Sequence, residues 1–237
     1  MTQRLSNGTL QSLLLTSTLV LSACVSRPPT PDWQVNAQGS MDRSIAAFLE
    51  GNGRVEAAEF ERARSEIART GRIDLMARIE LMRCAGRVAS LVVDSSACPA
   101  FQSLRPDASA PERAYADYLD GRLAPQDVSL LPAQHRATAT ATATSGDVPS
   151  APGDAALQSI DDPLARLVAA GVLFQRGRAS PGVISNAIDT ASAQGWRRPL
   201  LAWLHVQLRR VEAVGASEEA QRLRRRIALV EQPGWRQ

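Results

Sequence analysis

Two patterns of apolar residues divide the chain. The run LQSLLLTSTLVL, from Leu10 to Leu21, is apolar apart from Gln11 and hydroxyl residues, whereas from Trp33 onward apolar side chains recur every three or four residues among charged ones. The second pattern is the signature of helices with one buried face. Trp33, Ala37, Met41, Ile45, Phe48 and Leu49 form the first stripe, and Gly51-Asn52-Gly53 stops it. A second helix is expected from about Arg54 to Thr70, on Val55, Ala58, Phe60, Ala63 and Ile67, ending at Gly71. A third should reach about Ser90, carrying Met76, Ile79, Met82 and Val88. Turns this short make antiparallel neighbours.

The regular spacing breaks at Asp94-Ser95-Ser96 and Pro99, which mark a loop. Pro111 then opens a short helix, PERAYADYLDG, with Tyr115, Tyr118 and Leu119 on one face, and Pro125 starts another. The run ATATATAT at 137–144, followed by SGDVPSAPGD, has no strongly apolar face. It predicts a frayed helix end running into a linker.

Beyond it, Asp162-Pro163 and Ser180-Pro181 each set a capping side chain before a proline at the first helical position, and Pro199 starts another helix. Stripes follow on Leu164, Leu167 and Val168, on Ile184, Ala187 and Ile188, on Leu200, Trp203 and Leu204, and on Ala220, Leu223 and Ile227. Gly177, Gly195 and Gly215 lie at the ends of three of these helices.

No run beyond the N-terminal one reads as a convincing strand. The expected fold is all-α: stacked antiparallel helical hairpins, with regions 32–136 and 154–237 on either side of a linker at 137–153. Gly51, Phe60 and Ala63, and later Gly215, Ala220 and Ile227, resemble positions of tetratricopeptide-type repeats. The tryptophan and proline positions of that repeat are not met, so the resemblance implies a TPR-like or irregular α-solenoid architecture and no binding residue.

Residues 1–23 contain one basic side chain, Arg4, and no acid. With an apolar run too short to span a bilayer as a mature helix, they read as a secretory signal. At its end, Leu21-Ser22-Ala23-Cys24 resembles the lipobox of bacterial lipoproteins at every position. The resemblance implies that Leu21, Ser22 and Ala23 are read by the signal peptidase and that Cys24 becomes the acylated first residue of the mature chain. Val25 stands where an aspartate commonly marks inner-membrane retention, so the resemblance implies an outer-membrane anchor facing the periplasm. Each buried methylene contributes about 0.8 kcal/mol, so two or three acyl chains hold stably where one does not. Three prolines within 26–31 make 24–31 an extended tether.

Charge adds little. All 27 basic residues are arginine, against 24 acids, and losing the signal removes only Arg4. Near-neutrality of the mature chain argues against nucleic acid as a partner. In an oxidising compartment Cys84 and Cys98 form an even pair and are expected to bridge, which would stabilise the fold by about 3 kcal/mol through loop closure.

His135 and His205 belong to no metal-ligating spacing, and no G-x-S-x-G elbow or cysteine–histidine signature occurs. Asp161-Asp162 and Glu218-Glu219 sit where helices begin and suit the helix dipole. No catalytic residue, metal ligand or cofactor is assigned. In GWRRPLLAWL, at 195–204, the helical spacing of Trp196, Leu200, Trp203 and Leu204 favours core packing over an exposed interface. Arg209, Arg210, Arg222, Arg224, Arg225 and Arg226 lie in a stretch, from Gly195 onward, holding nine arginines and four acids. They are a candidate patch for an anionic partner, weighed against a simple solvated helix face.

Over its whole length the chain also resembles helical lipoproteins of Gram-negative bacteria, a resemblance that implies no particular activity. The expectation is a membrane-anchored periplasmic scaffold that presents a helical face to another envelope protein. The alternative is a cell-wall glycan hydrolase, or its regulatory subunit, with two carboxylates that sequence cannot pair.

Overall fold

A computed structural model of the chain describes residues 29–92, 98–144 and 151–232. Among these there are helices and turns and no strand, so the fold is all-α. Helix α1 (Asp32–Glu50) ends at Gly51, whose φ of 92° is left-handed and costs glycine nothing. Asn52 then caps α2 (Gly53–Ala68), accepting a hydrogen bond from the Val55 amide. After the turn at Gly71 comes α3 (Ile73–Ala89).

Two 3₁₀ turns, Pro99–Ser103 and Arg105–Asp107, lead to α4 (Ala110–Leu119), which opens with a reciprocal capping box between Ser109 and Glu112. The short helix expected at Pro125 is a further 3₁₀ turn, Pro125–Leu130. Helices α5 (Ala133–Thr144) and α6 (Ala151–Gln158) follow. Asp162 and Ser180 cap α7 (Pro163–Gln175) and α8 (Pro181–Ala193) through their side chains, each with proline in the first turn. Helix α9 (Arg197–Ala213) starts two residues before Pro199, and α10 (Ser217–Glu231) completes the described chain.

The α1–α2 hairpin closes over a small core of Met41, Phe60, Ala63, Ile67 and Ile79, to which α3 contributes the last. The main core runs continuously from α3 to α10. Its centre is the crossing of α3 and α7, while α8, α9 and α10 pack in succession beside α7. Gly171 makes the crossing close, because its missing Cβ leaves room for the Val88 backbone. At the same junction the buried Trp203 donates its indole N–H to the Ala89 carbonyl at 3.1 Å, satisfying one of the carbonyls orphaned at the end of α3. Arg198 fastens α9 to α1: it donates to the Phe48 carbonyl at 2.7 Å and lies over the Phe48 ring.

Of the helix end and linker expected at 137–153, residues 145–150 lie outside the described residues. Residues 137–144 are helical throughout, with Thr138 and Ala139 fully packed inside. Alanine has the highest intrinsic helix propensity, and burial of this face adds what the weak pattern lacks. The regions on either side share one core, within a single compact unit at Pro31–Gln237.

Cys84, on α3, and Cys98, before the first 3₁₀ turn, are paired as a disulfide with Cα atoms 5.4 Å apart. Both are buried, so the bridge joins α3 to the start of the first 3₁₀ turn within the main core.

Candidate functional site

Helix α1 turns Trp33, Ala37 and Met41 toward α3, which answers with Leu75, Ile79 and Met82. These are steps of three and four residues, hence single helix faces. Because α3 is drawn onto α7 in the main core, the two stripes do not close on each other along their length. What remains is an open groove of about 470 Å³, with Ile67 from the last turn of α2 at its floor.

The floor is apolar: Ala37, Met41, Ile67 and Ile79 are all buried. The walls are accessible, with Trp33 and Leu75 half-buried and Met82 39% exposed. Charges at the rim are largely spent within the protein. Arg72 binds Asp74 at 2.6 Å and Arg78 binds Glu112 at 3.2 Å, leaving Asp42 as the one carboxylate in the lining. A cleft of this volume, apolar and nearly neutral, suits an apolar side-chain row, and its methionines can adapt to the shape presented.

Four glutamates are buried, and each faces arginine. Glu56 accepts from Arg83 at 2.7 Å, Glu59 from Arg43 at 3.0 Å and Glu112 from Arg78 at 3.2 Å, while Arg64 stands 3.8 Å from Glu80. The hydrogen bond from Arg43 leads the forces holding the Glu59 carboxyl below its usual range. Burial pushes the Glu80 carboxyl up, against the opposing pull of Arg64 and Arg83. None of the four lines the groove. Paired in this way, they tie α1, α2, α3 and α4 together.

The six arginines singled out in the sequence are all exposed. Arg224 is held by Glu212 of α9, and Arg226 donates to Ser192 of α8. Arg209 and Arg210 stand instead beside a second groove, against the end of α7 and the start of α8. Arg222 and Arg225 are exposed on α10, as is Leu229 at 67%. In GWRRPLLAWL, Leu200, Trp203 and Leu204 are buried and Trp196 is half-buried.

His135 was unremarked by its spacing, but the fold buries it to 2% exposure. Its ring sits against both Tyr115 and Tyr118, and Nδ1 is hydrogen-bonded to the Tyr118 hydroxyl at 3.3 Å. Burial lowers its pKa to about 4, despite the nearby negative charge of Asp162. It also pushes both tyrosine hydroxyls up. His205 is exposed, 3.9 Å from Glu231. Among the described residues, no three histidines, cysteines or acids are grouped to hold a metal ion, and no helix is long and apolar enough to cross a membrane.

Leu21, Ser22, Ala23 and Cys24 lie outside the described residues. A scan of protein-family models matches no family, and searches of curated proteins and of solved structures return no match.

Proposed function

We propose that this chain is a lipid-anchored helical scaffold of the bacterial cell envelope, acylated at Cys24 and docking a partner protein in the α1–α3 groove. The observation that carries the reading is the groove itself: an open, apolar, nearly neutral cleft on the first helices after the proline-rich tether. The partner would lay one apolar helix face into it, with anchors spaced by one turn. Tethering on the periplasmic face of the outer membrane raises the effective concentration of a partner in the same envelope. The facing of each buried glutamate by an arginine favours a structural role for these carboxylates over the hydrolase alternative.

The test joins palmitate labelling to partner recovery. Cys24→Ser should lose both label and membrane fractionation. Leu75→Glu with Met82→Glu should keep them while losing the co-purified partner about tenfold, since a buried unpaired carboxylate is costly. A wild-type chain without palmitate, or partner recovery indifferent to both glutamates, would overturn the proposal.

A further inference from the structure

A second groove, of about 370 Å³, lies where the end of α7 and the start of α8 meet the last turns of α9. One wall is Phe174, Ala179 and Ile184, which offer no side-chain hydrogen-bonding group. The other wall is α9, presenting Val206 and, within the next turn, Arg209 and Arg210. Neither arginine has a carboxylate partner among the described residues, and the nearest acid in sequence, Glu212, is held by Arg224. Two uncompensated guanidinium groups thus overlook a hydrocarbon surface.

We propose that this groove binds a monoacyl phospholipid with an anionic headgroup, its chain on Phe174, Ala179, Ile184 and Val206 and its phosphate between Arg209 and Arg210. The wall opposite α9 would leave the amides of a bound peptide without partners, a cost that an unbranched hydrocarbon chain avoids. A terminal phosphate monoester has three free oxygens, enough for two guanidinium forks, where one carboxylate is satisfied by one. The polar contacts on one wall fix the head, and the apolar lining takes the tail. This site is separate from the α1–α3 groove and requires neither acylation of Cys24 nor a protein partner.

The experiment is calorimetric titration of the Pro31–Gln237 unit, which holds both cores whole, with 1-palmitoyl lysophosphatidic acid below its micellar concentration. Saturable binding is expected, weakened about tenfold or more by Arg209→Glu with Arg210→Glu, and to the same degree when neutral 1-palmitoylglycerol replaces the lipid. Ala213→Trp, at an exposed position lining the groove, fills it without changing charge and should also weaken binding. Melting curves confirm that the variants fold. Equal affinity for the neutral lipid, an unaffected charge-reversal variant, binding of palmitate without the lysophospholipid, or binding only to phosphatidylglycerol vesicles would each overturn the proposal.

Discussion

Gly171 of α7 lies directly against Val88 of α3, so close that a Cβ on the glycine would stand 2.9 Å from Val88 Cγ1 and closer still to the Val88 carbonyl oxygen. Both elements belong to the centre of the main core, and neither backbone can retreat without disturbing it. Gly171→Ala should therefore destabilise the fold by about 1–3 kcal/mol, although alanine is the better helix former. Urea unfolding measures it; unchanged stability would mean that the helices are not in contact there.

Trp203→Phe should keep most of the packing against Phe174, whose ring centroid is 5.7 Å away, while leaving the Ala89 carbonyl without its indole donor. The expected cost is about 1–3 kcal/mol, seen as a lower midpoint at unchanged slope.

The helix assignments were legible because stripes and caps agree: Asp162 and Ser180 cap as expected, and Gly51, Gly177, Gly195 and Gly215 all take positive φ. At 137–144 a helix end was expected, but the weak stripe gave no sign that Thr138 and Ala139 are buried, because that burial comes from distant elements. The site was less legible, for a related reason. Trp33, Met41, Ile79 and Met82 were visible as members of helix stripes, but local spacing cannot tell a closed interface from an open one; that depends on α3 being drawn toward α7. Nor does sequence show that Glu212 takes Arg224 and leaves Arg209 and Arg210 uncompensated.

His135 gives the chain an acid sensitivity. Its pKa falls from 6.5 in the unfolded reference to about 4 in the folded state, so the unfolded chain binds more protons between these values. Stability from this residue is full above about pH 6.5 and declines as pH falls through the window, with about 3 kcal/mol lost by pH 4. His135→Phe should flatten that slope, at a cost near 1 kcal/mol at neutral pH for the unpartnered Tyr118 hydroxyl. Parallel slopes for the two proteins between pH 4 and 6.5 would contradict the assignment.

Cys84→Ser with Cys98→Ser removes a cross-link across 14 residues of sequence separation. Loop closure on this scale stabilises by about 3 kcal/mol, so the double variant should melt several degrees lower under oxidising conditions. Adding reductant should bring the wild type down to match it. A reductant-insensitive wild type would show that the bridge contributes nothing to stability.

Docking in the α1–α3 groove is tested most directly by site-specific photocrosslinking in intact envelopes. The crosslinker is placed at Gln38 on the groove rim and, as a comparison, at Leu229 on α10. The scaffold reading requires one defined protein adduct from Gln38 and none of that mass from Leu229, with the adduct lost in Cys24→Ser and in Leu75→Glu with Met82→Glu. An adduct formed equally from both positions, or from Gln38 irrespective of acylation and groove charge, would contradict it.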